Sequence, residues 1–279
     1  MRSLDGLAIL GLCVLLGGGA CGRTPSARAA PVAPSAAPVA THAAPVAPPA
    51  APVAQRPAPV AVASSSVVPG AAGPARLVVP RVGGAVVIDA ELEGKKMWEG
   101  DSGTTRNFKD LAGHGMVPYT EAKARWGDGE LYLMLYAGDL DLEGKVRAHD
   151  GPVERDDAFH LEFGHGDELR VVSVSVLGTV ADALCRPSRA GSVGRVCDRH
   201  WDSHARVAVD RDGTLNKIGD NDEEWVVEMA IPLAALGFAD AHAGTKIPFS
   251  IGRCEVGHGS SRGCGGWGTE PRGELTLGP

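Results

Sequence analysis

The sequence predicts an all-β fold class: an antiparallel, jelly-roll-like β-sandwich with one short helix, preceded by a signal peptide and a disordered Pro/Ala-rich linker. Three observations predict it. A short apolar run near the N-terminus ends in small residues before a cysteine, and a Pro/Ala/Val-rich stretch with almost no charge follows. From Leu77 onward, short segments alternate apolar and polar residues between Gly and Asp turns, with no long stretch of helical periodicity.

Residues 1–21 come first. Arg2 precedes the apolar run Leu7 to Leu16, which is too brief for a bilayer span of roughly 20 residues but suits the apolar core of an export signal. Gly18-Gly19-Ala20-Cys21 follows and resembles the lipobox of bacterial lipoproteins, which implies lipidation of Cys21 and its exposure as the mature N-terminus. An ordinary signal peptide with another cleavage site is the alternative. Both readings export the chain, and the first attaches it to the cell envelope, on the outer membrane or the periplasmic side.

Residues 22–75 form the linker. The triplet Ala-Pro-Val recurs at Ala30, Ala37, Ala44, Ala51 and Ala58, a period of seven. A coiled coil is excluded, because each proline removes a backbone donor and clashes with the preceding turn. Polyproline II at about 3.1 Å per residue would let the arm span up to roughly 150 Å.

Residues 76–279 are long enough for one substantial core. Ala122, Ala124 and Trp126 share one face, the turn Gly127-Asp128-Gly129 follows, and Leu131, Leu133 and Leu135 continue that face in a hairpin. Phe159, Leu161 and Phe163 mark a further strand, as do Ala205, Val207 and Val209, and Trp225, Val227, Met229 and Ile231. Pro232 to Leu236, closed by Gly237, is the expected short helix. Trp98, Trp126 and Trp225 are expected in the core.

Cys13 and Cys21 belong to the leader, leaving Cys185, Cys197, Cys254 and Cys264. Four cysteines in an exported domain read as two disulfides. Of three pairings the local one is preferred, Cys185 with Cys197 and Cys254 with Cys264; a four-thiolate zinc site is disfavoured for want of a Cys-x-x-Cys knuckle.

The formal net charge of −7 offers no basic footprint for nucleic acid. Enzyme-like strings fail on context. Gly259-Ser260-Ser261-Arg262-Gly263 has no histidine downstream, and Gly263, Gly265 and Gly268 lie too near Pro271 and the last residue for a helix to follow. Asp156 and Asp157 are adjacent on a strand and cannot flank one bond, so one of them should bind a turn or a cation. His200 and His204 are four apart in a non-helical stretch and read as solvated. Asp139, Asp141, Glu143 and Asp150 around Gly144 resemble an EF-hand-type calcium loop, the alternative being an acidic surface loop.

Val87-Ile88-Asp89, Trp98, Thr120, Trp126-Gly127-Asp128, Leu131-Tyr132, Asp139, Asp156-Asp157, Trp225, Glu228, Ile231-Pro232, Leu236-Gly237, Phe249 to Arg253, Trp267, Pro271 and Leu275 occur in an order that resembles the family 9 carbohydrate-binding modules and their DOMON-like relatives. The resemblance covers Val86 to Leu277. It implies a β-sandwich with structural calcium and a sugar slot between two tryptophans. Trp267 falls on one clamp position and Val153 on the other; His160 stands where the family has a glutamate, and Arg170 matches its arginine. Trp267 could equally be a tryptophan packed under the Cys254 to Cys264 loop, and Arg170 a surface strand residue. The expected function is non-catalytic carbohydrate binding by a monomeric, membrane-anchored lipoprotein, with Trp267, Arg170 and His160 at the ligand. The alternatives are haem binding through Met97, Met116 or Met134 with a histidine, and a surface module for a protein partner.

Overall fold

The computed structural model describes residues 74–110, 119–188, 194–256, 263–269 and 272–279. The leader, Cys21 and all but the last two residues of the linker lie outside these residues, as do Met116, the Gly259–Arg262 string and Pro271. The described strands, in chain order, are β1 (Arg76–Val79), β2 (Thr104–Thr105), β3 (Lys109–Asp110), β4 (Thr120–Gly127), β5 (Glu130–Gly138), β6 (Ala158–His165), β7 (Glu168–Ser175) and β8 (Val180–Pro187). They continue with β9 (Arg195–Asp198), β10 (Arg206–Asp212), β11 (Glu224–Pro232), β12 (Lys246–Glu255), β13 (Gly263–Trp267) and β14 (Gly273–Leu277).

Among the described residues these make a nine-stranded sheet, β1-β14-β12-β6-β7-β8-β9 with β13 beside β12 and β3 beside β13, and a five-stranded sheet, β10-β11-β5-β4-β2. β1 runs parallel to β14, and the other ladders are antiparallel. The expected all-β sandwich is therefore the one observed.

The alternation explains the layers. Ala122, Ala124 and Trp126 of β4 face the same side as Leu131, Leu133 and Leu135 of β5 and Trp225, Val227, Met229 and Ile231 of β11. They meet Phe159, Leu161 and Phe163 of β6, Val172 and Val174 of β7, and Phe249 and Ile251 of β12 in one core. The β4–β5 hairpin closes through Asp128 (φ 49°) and Gly129 (φ 79°). Both central residues are left-handed, the geometry whose twist matches the flanking strands.

The outer face of the smaller sheet is also covered. The strap Pro80 to Gly100 lays Val82, Val86, Ile88, Leu92 and Met97 against Trp98, Tyr132, Met134, Val226 and Ala230. Its anchor is Glu228, wholly buried on β11. One Glu228 oxygen accepts the backbone N–H groups of Asp89 and Ala90 at 3.0 Å each, and the Lys95 ammonium at 2.6 Å; the other accepts Trp98 Nε1–H at 2.8 Å.

One expectation needs correction. Pro232–Leu236 is a hydrogen-bonded turn and not a helix: Leu236 N–H reaches the Pro232 carbonyl at 3.3 Å, and Gly237 at φ 90° then reverses the chain, leaving no room to propagate a second turn. The short helical pieces are 3-10 turns at Lys96–Trp98 and Val153–Arg155. Both disulfides pair as expected, Cys185 with Cys197 and Cys254 with Cys264. Each joins residues directly opposite in a ladder. Loops of 12 and 10 residues contribute about 3 kcal/mol apiece in the chain-entropy model.

Candidate functional site

Because side chains alternate across a strand, the residues between the core positions of the larger sheet define its open face. These are His160 and Glu162 on β6, Val171 and Ser173 on β7, Ala181 and Ala183 on β8, and Ser250 and Gly252 on β12, each row set by the ladder register. Most are small, so the middle of the face is low. Near the β8 side lies a hollow of about 170 Å³, lined by His160, Ser173, Val171, Ala181, Ala183, Asp150, Val153, Glu154 and Arg199 among others. His160 Nδ1 is 2.9 Å from Ser173 Oγ, its cross-strand partner.

Burial holds the His160 imidazole below its ordinary 6.5, against the opposing pull of Glu154 and Glu162. It is therefore neutral at pH 7, with one ring nitrogen to donate and one to accept, which suits hydroxyl groups. The Ser173–His160 pair is a product of ladder geometry. The backbones of both strands are paired in the sheet ladders.

The other two expected ligand residues point elsewhere. Trp267 is opposite Ile251 on β13, is 5% exposed, and packs on Phe249 with ring centroids 6.1 Å apart. Its slot is filled by the protein's own core, and it cannot stack a ligand. Arg170 lies on the core-facing side of β7, opposite Phe163 and Leu184. Its Nε–H donates to the Ala235 carbonyl at 3.0 Å and its Nη2 to Glu168 at 2.9 Å, so it fastens the Pro232–Gly237 turn. Val153, at the second expected clamp position, does share the hollow with His160.

The four side chains expected at calcium, Asp139, Asp141, Glu143 and Asp150, do not form a metal-binding group with one another. Asp139 is turned inward, accepting from Asp141 N–H at 3.1 Å and Trp225 Nε1–H at 3.2 Å. Glu143 pairs with Lys145, while Asp150 lies at the far end of the loop and receives Asp182 N–H. Gly144, where an EF-hand needs its sharp turn, is instead set by close packing: a Cβ there would stand 2.7 Å from Val176 Cγ1. Among the described residues no three acidic, histidine or cysteine side chains form a metal-binding group. Asp156 and Asp157 bind turns, as one of them was expected to. Asp156 accepts Lys145 and Val146 N–H at 2.9 Å each, and Asp157 accepts Glu143 N–H at 2.6 Å and Val256 N–H at 2.8 Å. Met97 and Met134 pack in the apolar cluster under the strap.

A buried polar cluster went unnoticed in the sequence. Arg253, fully enclosed, donates from Nη1 to Thr120 Oγ1 at 2.8 Å and the Tyr119 carbonyl at 3.1 Å, and from Nη2 to the Gly138 carbonyl at 2.7 Å and to Glu255. Asp139 lies 3.6 Å away. Burial outweighs the guanidinium's pull, lifting Asp157 to about 7 and Glu255 to about 8.

Carboxylates raised in the folded state hold protons that the unfolded chain has released, so stability falls as pH rises through their folded values. His160 acts in the opposite sense, but only below about 6.5. The melting temperature should therefore drop between pH 6.5 and 9, and less steeply in Asp157→Asn. A wild-type profile that is flat or rising over that window contradicts this account.

A second hollow also carried no sequence signal. It measures about 590 Å³ and is lined by His200, Trp201, Asp202, His204, Pro232, Ala234 and Ala235. His200 and His204 are solvent-exposed, as expected.

Among the described residues the architecture is a two-sheet, almost wholly antiparallel β-sandwich. Among solved structures the chain is similar to a Bacteroides uniformis protein described provisionally as carbohydrate-binding, with 13% identity over 73% of this chain and 99% of that one, and a TM-score of 0.52. It is also similar to a family 9 carbohydrate-binding module from Caldicellulosiruptor kristjanssonii in two complexes. With cellotriose the identity is 16% over 73% of this chain and 93% of the module (TM-score 0.46); with glucose it is 17% over 73% and 96% (TM-score 0.47). At these identities the likeness is one of fold. No family model and no curated protein matches the chain.

Proposed function

We propose that this chain is a non-catalytic glycan-binding lipoprotein, carried on a lipidated Cys21 and a Pro/Ala spacer, whose sandwich takes polysaccharide on the open face of its larger sheet. The observation that carries the reading is the low, small-residue floor of that face, where neutral His160, Ser173, Glu154 and Arg199 gather around one hollow. Groups that both donate and accept, above a shallow apolar floor, match sugar hydroxyls on a pyranose ring. The Bacteroides protein with the same fold, described as carbohydrate-binding, supports the ligand class. The lipobox-like Gly18-Gly19-Ala20-Cys21 supports the anchor, and the spacer would hold the head clear of the membrane.

The test is affinity electrophoresis of the full-length protein in gels cast with soluble polysaccharides. At least one neutral polysaccharide should retard it, and His160→Ala should weaken that retardation about tenfold. Absence of retardation across cellulosic, xylan, mannan and glucan polymers would defeat the reading. For the anchor, labelling with a radioactive fatty acid should be abolished by Cys21→Ser; label retained in that variant removes the lipoprotein assignment.

A further inference from the structure

We infer that Trp201 is the stacking platform of a second sugar subsite, in the hollow beside the Pro232–Ala235 turn. This rests on the glycan-binding reading and extends it to a residue outside the expected clamp. The chain has five tryptophans. Trp98, Trp126, Trp225 and Trp267 are each 5% exposed or less, whereas Trp201 is only partly buried, packing against the core and lining the hollow. It is thus the one indole of the chain that a ligand can reach.

The chemistry around it is mixed in the way a pyranose needs. Trp201 and the small aliphatic residues Pro232, Ala234 and Ala235 line the space together with His200, Asp202 and His204. A sugar ring has an apolar face for the indole and equatorial hydroxyls for imidazole and carboxylate. His204 Nδ1 lies 3.3 Å from Asp202 Oδ2, and both side chains keep further hydrogen-bonding positions for a hydroxyl.

The platform is also held in place before any ligand arrives. Ser203, wholly buried beside it, donates its N–H to Asp182 at 2.8 Å. His200 N–H is held by Asp198 at 2.9 Å and His204 N–H by Asp202 at 2.6 Å, and the Cys185–Cys197 disulfide ties the preceding strand to β8. A backbone fixed in advance on both sides of the tryptophan reduces the entropy lost on binding. The segment is shared between the hollows as well: Arg199 lines the one at His160, and the next residues line this one. An oligosaccharide held at both would engage two faces of a single stretch of chain.

The experiment uses the full-length protein and the same polysaccharide gels, with tryptophan fluorescence on a soluble oligosaccharide of whichever polymer retards it. Trp201→Ala should weaken retardation about tenfold or more. Trp201→Phe, which keeps a ring and guards against loss of folding, should still bind but lose the ligand-induced change in emission. If the wild type is retarded, His160→Ala is impaired and both Trp201 variants behave as wild type, the platform is overturned and glycan binding stands. If no polysaccharide retards the wild type, both fail together.

Discussion

Replacing Arg253 with methionine is expected to lower the unfolding free energy by about 3–5 kcal/mol at neutral pH, the usual consequence of removing one partner from a buried ionic cluster. Two losses combine. The guanidinium on β12 spans the two sheets, donating to Tyr119, Thr120 and Gly138 on the opposite sheet's strands and their approaches, so its removal leaves buried acceptors unmet. It is also the cation nearest Asp139 and Glu255. Without it, Asp157 and Glu255, already raised to about 7 and about 8, would need still higher pH to ionise inside the protein. The cost should therefore be larger at pH 8.5 than at pH 5.5, where both carboxyls can stay protonated in wild type and variant alike. Urea unfolding at the two pH values checks this. An equal loss at both would assign the effect to the sheet-to-sheet hydrogen bonds alone, and no loss at either would refute the cluster's role.

Glu228→Ala should cost about 3 kcal/mol, because it orphans several donors at once and each buried, unmet one is worth roughly 1–3 kcal/mol. The Ala90 N–H and Trp98 Nε1–H bonds are fully buried, whereas the Lys95 ammonium can turn toward water. Ala90 also sits at φ 62°, a left-handed conformation rare for a residue with a side chain, and Glu228 holds it there. The damage should be local first. Hydrogen exchange should speed up from Val82 to Trp98 while β4, β5 and β6 keep their protection, and limited proteolysis should cut within the strap. Unchanged exchange in that segment would show that apolar contacts alone secure it.

Much of the sandwich was readable because alternation and turn chemistry agreed. In the β4–β5 hairpin the apolar rows of Ala122, Ala124 and Trp126 and of Leu131, Leu133 and Leu135 flank an Asp-Gly pair, and backbone, face and register follow from those residues together. The disulfides were readable for a similar reason, since short loops between strands favour local closure. β13 shows where this stops. Gly263-Cys264-Gly265-Gly266-Trp267 contains too few side chains to display a face, and only its ladder with β12, which sets Trp267 opposite Ile251, reveals that the indole turns inward. Arg253 differs, because a signal existed: Ile247, Phe249 and Ile251 step by two toward it, which places an arginine on the core side of the strand. The acidic spacing after Asp139 misled because ligand spacing has meaning only on the backbone of a calcium loop, and Gly144 serves packing instead. Trp201 lies between β9 and β10 in a stretch without alternation, so nothing local announced its exposure.

The strap makes the two outer faces of the sandwich unequal. Two packed sheets ordinarily turn two broad flanks to solvent; here residues 80–100 blanket one of them. Stripping the blanket would uncover a greasy second flank, with Tyr132, Met134 and Val226 among the residues laid bare, and self-association would be the penalty.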